Sequence, residues 1–154
     1  MSTRILIVGG TGLTGAHAAL HLREQGHKVT VMSLAAPAVD CLQGFTHIAA
    51  DYAADALSSE VLGEFDQMVF AAGADIRRFP SGEDEEAFYN RVNTQAIPAF
   101  FRSARDAGIS RAVYIGTYYP QVVPQAIETS YYVRSRHLAD EGVRALNCEN
   151  FQVC

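Results

Sequence analysis

The sequence predicts an α/β protein with a doubly wound parallel sheet in a single domain covering residues 1–154. Three observations lead there. An apolar β-branched run, Ile5 to Val8, opens the chain and runs directly into glycines at positions 9, 10, 12 and 15. Short strand-like and longer helix-like segments then alternate to the end, which is the pattern of right-handed βαβ units. With 154 residues, 49% of them hydrophobic, the chain can build one ordinary core.

The elements follow in order. Arg4–Val8 is continuously apolar after its first residue, as befits a strand covered on both faces. A helix from Leu13 to about Gln25 follows, with Gly26 as its stop. Strands at Lys28–Met32 and about Phe45–Ala49 flank a Pro- and Ala-containing connection, and a short helix lies near Ser58–Leu62. Strand Gln67–Phe70 leads through a loop ending at Pro80-Ser81-Gly82 into a long helix, about Glu83 to Ala107, which Gly108 ends. Its acidic start reads as an N-cap with negative charge on the helix dipole, and Pro98 should kink it or mark a break. Strand Arg111–Ile115, a loop carrying Pro120 and Pro124, a helix at about Ser130–Leu146 and an opening strand at Phe151–Cys154 complete the order.

Glycine spacing gives the first chemistry. Gly9 permits a tight turn, Gly12 lets backbone N–H groups approach a pyrophosphate, and Gly15 lets helix pack closely on strand. The anion would rest on the N–H groups around Leu13 and Thr14, at the positive end of the helix. Between a strand and a helix, this motif reads as a dinucleotide site. The end of the second strand, Val31-Met-Ser-Leu-Ala35, has no acid to hold the ribose of NAD and no arginine for the phosphate of NADP. Ser33 can donate to either, and Asp40 lies too far on, beyond Pro37. Both cofactors stay open.

Other bulk properties set bounds. A net charge of -5 argues against non-specific nucleic-acid binding, and no apolar run approaches a membrane span. Cys41, Cys148 and Cys154 are odd in number and lack C-x-x-C spacing, so free thiols in a reducing cytoplasm are expected. His17 and His21 have a ligating spacing, but nothing completes a zinc site, and no metal is expected. Arg77 and Arg78 read first as a solvated loop pair, with reception of an anionic substrate as the alternative.

Tyr132 and Arg136 stand four residues apart on the last helix and project from one face. A tyrosine beside a fixed cation ionises more readily, as a general acid/base on a carbonyl or alcohol requires, whereas the bland reading is an arginine packed over an aromatic ring.

The ordered set resembles the short-chain dehydrogenase/reductase superfamily, in its extended, epimerase/dehydratase-like branch. Gly9-Gly-Thr-Gly-Leu-Thr-Gly15 matches the branch's glycine signature, and Ala50-Asp51-Tyr52 its acidic turn contacting adenine. Asp66-Gln-Met-Val-Phe-Ala71-Ala72-Gly73 resembles the fourth strand and the small-residue turn beside the cofactor. Asn93, with Ala107-Gly108 and Arg111-Ala-Val-Tyr-Ile-Gly-Thr117, matches the helix and strand leading to the active-site hydroxyl, and Tyr132-Val-Arg-Ser-Arg136 stands in the place of Tyr-x-x-x-Lys.

The resemblance implies a Rossmann-like domain binding NAD or NADP, with a carbonyl, alcohol or sugar nucleotide as substrate. It gives Tyr132 proton exchange with the substrate oxygen, Thr117 a hydrogen bond to that oxygen, and Arg136 the cation's part, while Asn93 joins the cofactor residues. Arginine supplies charge and can hold ribose hydroxyls, but it will not release a proton. The family continues past the sixth strand into a substrate-covering lobe, whereas this sequence stops at Cys154, so truncation before that lobe is expected. Stopping there should leave apolar surface open and favour a homo-oligomer. Two functions follow: an NAD(P)-dependent oxidoreductase or sugar-nucleotide epimerase/dehydratase, or a non-catalytic NAD(P)-binding sensor or regulatory module.

Overall fold

Strand β1, Arg4–Val8, is the middle of the molecule, and its burial explains its composition. Leu6 and Val8 point into a large core beneath one sheet face, while Ile5 and Ile7 point into a second cluster on the other. Successive strand residues face opposite sides, so a strand covered twice needs apolar residues at every position. The computed structural model describes residues 2–154 of the chain.

Helix α1, Leu13–Glu24, covers one face through Ala16, Ala19 and Leu20 and ends at Gly26, whose φ of +84° only glycine adopts readily. Strands β2, Lys28–Ser33, and β3, Thr46–Ala49, follow, then the one-turn helix α2, Ser59–Leu62, and strand β4, Gln67–Phe70. Met68 and Phe70 enter the large core, where Tyr52, Phe100, Phe101 and Tyr114 surround the Phe70 ring at centroid distances of 5.2–6.2 Å.

The expected long helix is interrupted. Asp84 caps α3, Glu85–Tyr89, by accepting from the Ala87 N–H at 2.8 Å; a π-helical stretch, Asn90–Gln95, then joins it to α4, Ala96–Asp106. Pro98 has no N–H to offer the carbonyl four residues back, and the widened turn just before it accommodates that loss. Pro98 also has a packing role, because a Cβ on Gly142 would lie 2.8 Å from its Cγ.

Strand β5, Arg111–Tyr114, leads to two one-turn helices, α5 at Tyr119–Val122 and α6 at Ala126–Thr129, where the sequence predicts a loop. Helix α7, Tyr131–Arg144, is capped by Ser130, and β6, Gln152–Val153, closes the order. All pairings between these strands are parallel, in the order β3-β2-β1-β4-β5-β6. The chain reverses its direction of winding between β1 and β4, so their C-terminal ends border a crevice suited to a ligand.

On the α1 side, Val69 and Val113 of β4 and β5 border an apolar cleft of about 440 Å³, and Val113 is 42% exposed. Among the described residues no helix is long and apolar enough to cross a membrane.

At the opposite end of the sheet, Arg4 grips Asp66 twice, by its backbone N–H at 2.8 Å and by its guanidinium at 2.5 Å. The Arg4 contacts hold the Asp66 carboxyl down at about 2, from an ordinary 3.8. Folding therefore gains from the ionised form above pH 3.8, and the gain fades as pH falls through about 2. Asp66→Asn should lower the urea midpoint at pH 7, and the two proteins should converge near pH 2 when midpoints are followed against pH.

Candidate functional site

The turn between β1 and α1 is built by close backbone approaches. Gly9 has φ +81°, and a Cβ there would lie 2.8 Å from the Ala72 nitrogen, so β1 and β4 meet tightly at their C-terminal ends. Gly9 and Gly10 both donate to Met32 O, at 2.8 and 3.1 Å. A Cβ on Gly10 would lie 2.6 Å from the Val31 Cβ, and one on Gly15 would overlap the Gly9 carbonyl oxygen. Gly12 differs. It is the N-cap of α1 without a side-chain cap, its φ is an ordinary -75°, and a Cβ there would meet only Gly9 O, at 3.3 Å. The first-turn N–H groups of α1 are thus left to whatever lies beside Gly12.

A groove of about 780 Å³ runs from this turn across the C-terminal ends of the strands. Gly9, Gly12, Leu13 and Thr14 form its middle, Ser33, Asp51 and Tyr52 one end, and Ala71, Ala72 and Gly73 the wall beyond β4. Gly15 lies beneath the turn, buried. Asp51 shapes its own bend, Oδ1 accepting from the Ala53 N–H at 2.9 Å. Burial pushes the Tyr52 phenol up to about 12, so it remains a neutral donor. The Ser33 hydroxyl donates to Ala35 O at 2.8 Å and lies 3.0 Å from His47 Nε2.

Asp75, Arg77 and Arg78, on the turn after β4, also line the groove. The Arg77 guanidinium holds Asp75 at 2.5 Å and keeps its carboxyl below the usual range. The arginine pair, for which the sequence predicts a solvated loop, therefore borders the crevice. Its signal in the sequence was position alone, since loops after the C-terminal ends of parallel strands surround such sites.

Asn93, expected among the cofactor residues, does not line the groove. It is fully buried, receiving the Ala74 N–H at 3.2 Å and donating to Ala74 O and to Ser135 Oγ at 3.2 and 3.1 Å. The π-helical stretch turns it inward, where it fixes the chain leaving β4. Asn93→Ala would leave these groups without partners, and a destabilisation of about 2–3 kcal/mol is expected in urea unfolding.

The three expected catalytic residues are also not gathered in one cavity. Tyr132 borders a cavity of about 600 Å³ with Tyr119, Val123 and Val133, and this cavity shares Asp75 and Arg77 with the groove. Thr117 and Arg136 border a different cavity, of about 470 Å³. Arg136 engages backbone carbonyls with its guanidinium. It is 6% exposed, donates from Nη1 to Ala72 O at 3.3 Å and from Nη2 to Ile115 O at 2.7 Å, and lies 5.2 Å over the Tyr114 ring. An arginine reaches further than a lysine and its fork bridges the carbonyls of two strand ends. A Cβ on Gly73 would run into its Nη1, so that glycine makes room for the guanidinium. The cation sharing Tyr132's cavity is Arg77. Tyr131, the rival tyrosine, is 40% exposed with Arg134 stacked 5.6 Å from its ring.

The chain belongs to the NAD dependent epimerase/dehydratase family, whose model matches residues 5–154. Several solved structures have the same fold. The Bordetella bronchiseptica enzyme WbmH, in complex with NAD+, superposes with a TM-score of 0.76 at 19% identity, covering 99% of this chain and 55% of that one. Helicobacter pylori ADP-L-glycero-D-manno-heptose-6-epimerase gives 0.74 at 23%, covering 99% and 53%. The UDP-Glc/GlcNAc 4-epimerase from Campylobacter jejuni gives 0.72 at 19%, covering 99% and 52%. The chain thus spans about half the length of these proteins. No curated protein matches it in sequence.

Proposed function

We propose that the chain is the nucleotide-binding half of an NAD-dependent enzyme that oxidises or reduces a hydroxyl or carbonyl carbon of a sugar nucleotide. The observation carrying this reading is the continuity of space. The groove starting at the uncapped end of α1 leads, past Asp75 and Arg77, to the cavity that Tyr132 borders. In the first part the Leu13 and Thr14 amides would hold the pyrophosphate of a dinucleotide, and Ser33 and Tyr52 would border its adenosine. NAD supplies hydride acceptance and return at the substrate carbon. Tyr132 exchanges the proton on the substrate oxygen, and Arg77 lines the same cavity. Thr117 contributes its hydroxyl if the loop from Gly116 to Ser130 closes on substrate, and Arg136 holds the ends of β4 and β5 at the required separation. Ser33, Leu34 and Ala35 themselves supply no cation for a ribose phosphate and share the groove with Asp51, so NAD should bind better than NADP.

A second reading, a non-catalytic NAD(P)-binding sensor or regulatory module, draws on the Arg136 bonds to backbone carbonyls and on the separate cavities of Thr117 and Tyr132. Calorimetry with NAD and NADP, followed by incubation of the NAD complex with a panel of UDP-, ADP- and GDP-sugars, separates the two. Nicotinamide reduction or isomerised sugar favours the enzyme. Tight cofactor binding with neither favours the sensor, and failure of both NAD and NADP to bind overturns both.

A further inference from the structure

The cavity bordered by Thr117 and Arg136 is separate from the nucleotide groove, and its chemistry is distinctive. It lies beside the C-terminal end of β5, opposite α7, and occupies about 470 Å³. Two side chains in its wall are more than nine-tenths buried, Arg136 at 6% and Tyr114 at 8% exposure. Each keeps a buried polar atom without a hydrogen-bond partner, Arg136 Nε and Tyr114 Oη. Orphaned buried donors are uncommon in folded proteins and call for a partner.

Charge points the same way. Among the described residues Arg136 has no carboxylate partner; its two hydrogen bonds go to neutral carbonyls. A guanidinium has five N–H donors, so most of them stay unmatched. A buried cation without a counter-ion is costly, and an anion beside it relieves that cost. The rest of the wall agrees. Thr117 and Gln121 add neutral donors, and Arg144 adds a second guanidinium. Asp140, the carboxylate facing the cavity, is already held by Arg144 Nε at 2.8 Å, while His137 lies 3.6 Å from Glu141. Burial pushes the Tyr114 phenol up to about 12, which keeps its O–H available to donate.

We infer that this cavity is an oxyanion-binding site, which receives a carboxylate or phosphate group between Arg136, Tyr114 and Thr117 with Arg144 at its rim. Binding here does not depend on the nucleotide reading, because the cavity shares no lining residue with the groove at α1.

The test is titration of the protein with inorganic phosphate and, separately, with acetate, followed by backbone amide shifts. Saturable shifts at Gly116, Thr117 and His137 are expected, and the tighter of the two anions identifies the group the site is built for. Arg136→Met should weaken this binding about tenfold or more, while Arg136→Lys, which keeps the charge, should retain most of it. Arg144→Gln, on an exposed part of α7, preserves the fold and should weaken it about threefold, which keeps the test decisive if Arg136→Met misfolds. Tyr114→Phe removes an orphaned hydroxyl, so it should raise the melting temperature of the free protein and weaken anion binding. Shifts confined to Gly9–Gly15, or an affinity unchanged by both arginine substitutions, would overturn the site. Loss of NAD binding in the same sample would count against the nucleotide reading alone.

Discussion

Gly12→Val should lower the affinity for NAD by about 100-fold or more while moving the melting temperature by only a few degrees. Gly12 is the glycine of the turn whose Cβ meets least: its nearest neighbour would be Gly9 O at 3.3 Å, a tight contact that a shift of a few tenths of an ångström relieves, and its φ of -75° suits any residue. A branched side chain there fills the groove in front of the α1 amides without breaking the turn. Each lost charge-assisted hydrogen bond to a pyrophosphate oxygen is worth about 1.5–3 kcal/mol, and at least two are blocked. Gly15→Ala provides the contrast, because its Cβ overlaps the Gly9 carbonyl. That variant should lose stability as well as binding. Calorimetry beside thermal unfolding checks the pair, and equal NAD affinity in wild type and Gly12→Val would remove the pyrophosphate from α1.

In the complete protein, Tyr132→Phe should reduce turnover about 10²–10⁴-fold with NAD affinity nearly unchanged. The ring packs against Tyr89 at a centroid distance of 5.7 Å, and phenylalanine keeps that contact while losing the exchangeable proton. The loss should fall on kcat, since the hydroxyl is needed where charge develops on the substrate oxygen. Tyr131→Phe, at an exposed position stacked with Arg134, should leave kcat within about twofold. The opposite pattern would give the proton to Tyr131.

Local signals made most of the fold legible. The run Ile5–Val8 suits a doubly covered strand and forms one, and Gly26 and Gly108 adopt the left-handed conformations that their places after helices implied. Ser58, Asp84 and Ser130 cap helices by accepting from N–H groups three residues on. Less legible were features set by tertiary packing. Pro98 announced an irregularity, but the widened turn at Asn90–Gln95 and the fit of Pro98 against Gly142 depend on where α7 lies. The short helices α5 and α6 lack the length for a periodic signal.

The site shows the same division. Residues placed by the backbone of a regular strand or turn, such as Gly9, Ser33 and Ala71–Gly73, line the groove in the expected order. Residues placed by side-chain reach do not follow their spacing. Tyr132 and Arg136 share a helical face, but the longer, forked side chain finds two strand-end carbonyls and leaves its neighbour to Arg77. Asn93 goes inward because a buried amide satisfies both groups of Ala74.

The most direct test of the central claim compares amide shifts produced by NAD and by ADP-ribose, which lacks the nicotinamide. Both should shift Leu13, Thr14, Ser33 and Tyr52, and NAD alone should shift Asp75, Tyr132 and Val133. Identical patterns from the two ligands, or shifts from NAD that avoid the amides of Leu13 and Thr14, would contradict a dinucleotide running from the glycine turn to Tyr132.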